Sequence, residues 1–201
     1  STSWKSLFRL EVEAFYAKFP TSGQEPAWGL NSKVVKENGQ VVEKVWKSGG
    51  MYGAAIDKMI HWLEKAVTVA ENEQQQKALQ LLIEYYKSGD LKKWDEYNIA
   101  WVADTASRLD VVHGFIEVYD DALGMKASYE SVVSMKDLEA TKRIKAIADQ
   151  AQWFEDNSPL MPEHKKKEVK GISAKAITVI IESGATSPST PIGINLPKSD
   201  W

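Results

Sequence analysis

The run Val111-Val112-His113-Gly114-Phe115-Ile116-Glu117-Val118-Tyr119 constrains this chain most, because it is rich in the β-branched and aromatic residues that suit a pleated strand. A period of two sorts Val112, Ile116 and Val118 to an apolar side and His113, Phe115, Glu117 and Tyr119 to the other. One side is expected to be core and the other to carry chemistry. The periodicity before this run is helical. The chain is therefore read as α+β, a helical layer plus a strand-rich part, with residues 1–110 mainly helical and 111–201 strand-rich.

Within the first region, Trp4, Leu7, Phe8, Val12, Phe15 and Phe19 recur at helical spacing before Pro20 and Gly23. Val34 and Val35 face Val41, Val42 and Val45 across Asn38-Gly39, which predicts a β-hairpin near 33–46. After Gly49-Gly50, a helix is predicted through Met51, Ala55, Met59, Trp62, Ala66 and Val69. Another carries Leu79, Leu82, Ile83 and Tyr86 and stops at Gly89, and Asp90 is placed to start a fourth from Trp94 to Val102. In the second region a turn at Asp120–Gly124 leads to a return strand over Ser128–Val133. One long helix is predicted near 135–153, started by Ser134 and Asp137, then strands at Ile172–Ile181 and Ile192–Leu196.

Composition excludes several function classes. The charges are 25 basic against 28 acidic in mixed blocks, so no nucleic-acid partner is expected, and Lys165-Lys166-Lys167 between Glu163 and Glu168 reads as a solvated loop. No apolar run approaches the roughly 20 residues that span a bilayer, so no membrane partner is expected. With no cysteine, disulfides, thiolate metal sites and cysteine nucleophiles are ruled out. Eight Trp, seven Tyr and five Phe must pack in a core or line a groove. Ser1-Thr2-Ser3-Trp4 has neither an initiator Met nor the apolar core of a signal peptide, and the chain ends on a bare Trp201. Both ends are read as truncation of a longer cytoplasmic protein.

His61, His113 and His164 have no partner three or four residues away, so no local zinc-binding pair exists. There is no Gly-x-Ser-x-Gly elbow, no phosphate-binding Gly-x-x-x-x-Gly-Lys loop and no Gly-x-Gly-x-x-Gly fingerprint. What remains is Glu117 with Tyr119 on one strand face, near His113, and the turn Gly193-Ile194-Asn195-Leu196-Pro197 elsewhere. Periodicity leaves both a cleft role and a structural role open for them.

Gly114-Phe115-Ile116-Glu117-Val118-Tyr119, followed by Asp121 and Leu123-Gly124, resembles a signature of the dipeptidyl-peptidase III family of zinc peptidases. Gly29-Leu30-Asn31-Ser32-Lys33, Lys126-Ala127-Ser128-Tyr129-Glu130-Ser131, Ala151–Asp156, Val169–Lys175 and Gly193–Pro197 resemble bacterial members, in the same order, from about residue 11 to 201. The resemblance implies that the strands form a small antiparallel β-barrel-like sheet, in a lower-lobe-like part of a two-lobed peptidase that removes dipeptides from the N-termini of short peptides. Glu117 would hold the substrate α-ammonium, Tyr119 would act catalytically by donating to the developing oxyanion, and Asn195 would pair with the substrate backbone. Gly193 and Phe115 complete the implied binding set.

The sequence departs from that family at Ala122, where Pro is common, and at Lys198, where a second Asn is common. Lys198 would either reach substrate as a cation or be solvated. The family's zinc-binding His-Glu-x-x-Gly-His helix is absent from this sequence, so the resemblance implies zinc in a parent enzyme, ligands from the remainder of its polypeptide and no activity in this chain alone. A non-catalytic peptide-binding or scaffold module is the alternative. The Gly-x5-Glu-x7-Arg-Glu-x-x-Glu-Glu pattern of a Nudix domain, carried by some relatives, is also absent.

Overall fold

The computed structural model describes residues 29–122, 124–170, 174–187, 193–194 and 196–197. The elements are β1 (Ser32–Glu37), β2 (Gln40–Val45), α1 (Gly53–Val67), α2 (Glu73–Ser88), α3 (Leu91–Ala103), β3 (Leu109–Glu117), β4 (Ser128–Lys136), α4 (Leu138–Ala148), α5 (Ala151–Asp156), a 3-10 turn (Pro162–His164) and β5 (Ile177–Gly184). β1 and β2 make a two-stranded sheet, and β3, β4 and β5 a three-stranded one in that order. The α+β class is as expected, with the strands of the described residues in small sheets rather than a closed barrel. The helix predicted over Trp4–Phe19 lies outside the described residues.

Local chemistry explains where each element starts and stops. β1 and β2 pair antiparallel with Val35 opposite Val42 and Glu37 opposite Gln40, leaving Asn38 and Gly39 as the whole loop. Both loop residues have positive φ, 51° and 79°, which is what a two-residue hairpin turn matched to strand twist demands. The Asn72 side chain accepts the Gln75 N–H at 2.9 Å to open α2, and Gly89, at φ 73°, closes it. Asp90 accepts the Lys92 N–H at 2.9 Å and starts α3 as expected.

The described residues fall into two compact units. One contains those up to Ser107 together with Gly114–Glu130; the other contains Arg108–His113 and those from Ser131 onward to Ser187. The first unit is built around an apolar core. Ile56, Ile60 and Leu63 of α1, Leu79, Leu82, Ile83, Tyr85 and Tyr86 of α2, and Trp94 and Tyr97 of α3 are buried together with Trp46 and Phe115. Each such side chain contributes on the order of 2 kcal/mol relative to leaving it in water. Burial pushes the Tyr85 and Tyr86 hydroxyls far up, so both stay neutral in any aqueous buffer.

The second unit is held by polar links. The Asp137 N–H donates to the Ala176 carbonyl at 2.9 Å, the Ala176 N–H donates to Thr141 Oγ1 at 3.0 Å, and Thr186 Oγ1 donates to the Ser131 carbonyl at 3.1 Å. The Gln152 and Glu155 side chains accept the N–H groups of Val169 and Lys166 at 2.8 and 2.7 Å, tying down the lysine-rich loop. No residue of α4 or α5 is buried.

Several elements differ from the sequence reading. The long helix near 135–153 is two helices, because β4 runs on through Ser134 to Lys136 and the chain turns at Asp149-Gln150. Asp137 alone caps α4, accepting the Ala140 N–H at 2.9 Å. The strand expected over Ile172–Ile181 begins at Ile177 and continues to Gly184. β3 ends at Glu117, so Tyr119 lies beyond the strand, in the turn. Its two faces are also not divided into core and chemistry. On one, a Cβ added at Gly114 would overlap the Trp94 ring; on the other, Phe115 enters the aromatic cluster.

That overlap makes a prediction. Gly114→Ala must push aside a buried indole in a close-packed core, at a cost of about 1 to 3 kcal/mol. Urea denaturation followed by tryptophan fluorescence checks it, and an unchanged midpoint would contradict the packing described.

Candidate functional site

The site begins with how firmly the middle of β3 is held. The Phe115 ring lies 4.9 Å from Trp46, 5.9 Å from Tyr129 and 6.3 Å from Tyr86, centroid to centroid, all tilted or edge-on. Such pairs add about 0.5 to 1.5 kcal/mol each beyond area burial. Phe115, expected among the binding residues, is 6% exposed and serves in this fold as the strand's anchor. Two residues on, Glu117 is half-buried at the strand end, and Tyr119 is 81% exposed. The carboxylate of Glu117 thus stands at the end of the strand and the phenol of Tyr119 in the turn just after it.

Beyond the strand, Asp121 organises the turn. Its N–H donates to the Val118 carbonyl at 3.1 Å and its carbonyl accepts the Gly124 N–H at 2.9 Å. Its side chain accepts the N–H groups of Met125 and Lys126 at 2.8 and 3.0 Å and pairs with the Lys126 ammonium at 3.0 Å. Burial pushes this carboxyl up, but the Lys126 and Met125 N–H groups and the ammonium outweigh it and hold it below the usual carboxylate range. Sequence reading counted Asp121 as part of a signature without giving it a job. Its signal was an aspartate four and five residues before the N–H groups it collects.

A second residue that sequence reading passed over is Asn31, which is 3% exposed. Its Nδ2 donates to the Gly89 carbonyl at 2.9 Å and its carbonyl accepts the Trp46 N–H at 2.8 Å, while neighbouring Leu30 accepts the Ala127 N–H at 2.9 Å. The segment Gly29–Lys33 thereby ties the end of α2, the end of β2 and the start of β4 together around the Phe115 cluster. Gly193 is exposed, and a Cβ there would meet nothing within 4 Å. Asn195 and Lys198 lie outside the described residues.

His113 precedes this site on β3. Burial pushes its imidazole down from the ordinary 6.5 to about 4, so it is neutral near pH 7. Among the described residues no group of three or more His, Asp or Glu side chains could hold a metal ion. His61 instead stacks edge-on with Trp62 at 5.4 Å. The described residues do not fit a zinc centre.

The sequence model of peptidase family M49 matches residues 12–200, so the chain belongs to that family. It is similar to Nudix hydrolase 3 of Arabidopsis thaliana, 29% identical over 151 residues, which are 75% of this chain and 19% of that protein. Dipeptidyl peptidase 3 of Rattus norvegicus and that of Homo sapiens are each 24% identical over the same share of this chain and 20% of their own length. Among solved structures, dipeptidyl peptidase III from Caldithrix abyssi superposes with a TM-score of 0.75 at 23% identity, over 94% of this chain and 36% of that one. The enzyme from Corallococcus sp. strain EGB gives 0.59 at 21% identity, over 87% and 32%. These two likenesses establish the fold. The chain spans about a fifth of the length of the curated relatives it matches.

Two predictions follow the geometry. Asp121→Ala removes the acceptor of two N–H groups and an ion-pair partner, and should lower stability by about 1 to 2 kcal/mol in thermal denaturation, with Asp121→Asn losing less. For His113 the folded pKa is depressed, so the unfolded chain takes up the proton first as pH falls. The stability it contributes is complete above about pH 6.5 and declines toward pH 4. His113→Gln should flatten that part of the stability-pH curve measured by denaturant titration; an unchanged slope would contradict the buried neutral imidazole.

Proposed function

We propose that this chain is the substrate-binding portion of a zinc-dependent dipeptidyl-peptidase that removes dipeptides from the N-termini of short peptides. The reading rests on membership of peptidase family M49 over residues 12–200, together with Glu117 at the end of a strand anchored by Phe115 and Tyr119 exposed in the turn two residues on. A free α-ammonium entering a site needs a fixed anion, and Glu117 supplies a carboxylate on backbone that β3 holds in place. This contact would make the enzyme count residues from the N-terminus. The phenol of Tyr119, exposed and two residues on, suits donation to the oxyanion that forms when the scissile carbonyl is attacked.

Asn195 would pair its amide with an extended substrate backbone, and the open space at Gly193 would let that backbone approach. Phe115 fits the scheme as the residue that fixes Glu117 in position. Zinc would be held by the remaining polypeptide of the parent enzyme, its other partner besides the peptide, and this chain alone would hydrolyse nothing.

The test is zinc content and dipeptide release from an arylamide substrate, measured side by side on this chain and on the full-length gene product. Zinc and activity in the longer protein alone support the reading; neither in the longer protein favours a non-catalytic peptide-binding module. In the active protein, Tyr119→Phe should lower kcat on the order of 100- to 1,000-fold with KM changed far less. Equal activity of the Phe variant would remove Tyr119 from the chemistry.

A further inference from the structure

The hairpin carries a feature that the peptidase reading does not use. An open groove of about 830 Å³ runs along β1, β2 and the loop that follows, and four lysines line it, Lys33, Lys36, Lys44 and Lys47, against two carboxylates, Glu37 and Glu43. Lys33 and Lys44 are direct cross-strand partners, so two like charges face each other on one side of a two-stranded sheet. That placement is unfavourable in itself, and Glu37 offsets it at Lys44.

The two carboxylates are already engaged. Glu37 pairs with Lys44 at 2.6 Å, and Glu43 accepts from the Ser32 hydroxyl at 2.5 Å. Among the described residues no carboxylate pairs with Lys33 or Lys47. Cation is therefore in excess along the groove.

The floor is rigid. The Gly50 N–H donates to the Lys47 carbonyl at 2.9 Å and the Met51 N–H to the Val45 carbonyl at 3.1 Å. A Cβ at Gly50 would stand 2.6 Å from the Val45 carbonyl oxygen, so only glycine allows the loop to close this tightly. Val35, Val45 and Met51 add apolar surface to its lining.

We propose that this groove binds an extended peptide segment in which acidic side chains alternate with apolar ones. Its carboxylates would meet Lys33 and Lys47, and its apolar side chains would cover Val35, Val45 and Met51. Charge complementarity selects the acidic class, and the apolar lining selects peptide over a phosphate backbone. The proposal does not depend on peptidase activity.

The experiment is fluorescence anisotropy on this chain with three labelled octapeptides, one alternating Glu and Leu, one Lys and Leu and one Ser and Leu, plus a single-stranded DNA octamer. The Glu-Leu peptide should bind at least tenfold more tightly than the others and weaken steeply with added salt. Lys33→Ala with Lys47→Ala should weaken it at least tenfold, whereas Lys33→Arg with Lys47→Arg retains binding; circular dichroism on each variant shows that the fold persists. Equal binding of the three peptides, binding of the DNA as tight as that of the Glu-Leu peptide, no binding of the Glu-Leu peptide, or no loss in the alanine variant would overturn it. Because no catalysis is read, these outcomes are separate from those of the zinc and dipeptide assay.

Discussion

The burial of Phe115 among Trp46, Tyr86 and Tyr129 is the interaction on which the rest of the first unit depends. It joins the end of the hairpin, the last turn of α2 and the start of β4 to the middle of β3, and it does so with rings that interlock only in a narrow set of geometries. Gly114 is bound to the same requirement from the opposite face, since the Trp94 ring occupies the space a side chain would need. A strand pinned on both faces at two consecutive residues has little freedom to slide, which is what a site built at its end requires.

Polar groups complete the framework where rings cannot. Asn31 is buried, and its hydrogen bonds reach Gly89 and Trp46, so the helix end and the strand end are held by one amide side chain. Asp121 performs a comparable service after β3, converting five residues of turn into a fixed bend by accepting two N–H groups and an ammonium. Both residues lie in stretches that resemble the family's, and both hold backbone groups in place. In the second unit polar links of the same kind run through Thr141, Gln152 and Thr186.

Much of this was legible in the sequence because it is encoded locally. Asn38-Gly39 specifies its hairpin, and Gly89-Asp90 closes one helix and opens the next. The helix after Gly49-Gly50 is present as expected, but its buried stripe is Ile56, Ile60 and Leu63, not the row through Met51, Ala55, Met59, Trp62, Ala66 and Val69, in which Trp62 and Val69 are exposed. What escaped depends on distant partners. Period two alone cannot say that both faces of β3 are covered, since that follows from where Trp94 and Trp46 come to lie. Nor could it say that β3 stops at Glu117, where the chain enters a turn in which the Asp121 N–H donates to the Val118 carbonyl and Asp121 accepts the N–H groups of Gly124, Met125 and Lys126. Glu117 and Tyr119 are singled out by the resemblance; that Phe115, two residues before Glu117, is packed among Trp46, Tyr86 and Tyr129 is visible only in the structure.

The account's central claim is that anchoring β3 fixes Glu117 where it meets a substrate's free amine. The most direct measurement is the affinity of the full-length gene product for a tetrapeptide with a free N-terminus and for its N-acetylated form, in the native protein and in Glu117→Gln. The account predicts a preference of at least tenfold for the free amine, abolished by the substitution. Equal affinity for the two peptides, or a preference that survives Glu117→Gln, would contradict it.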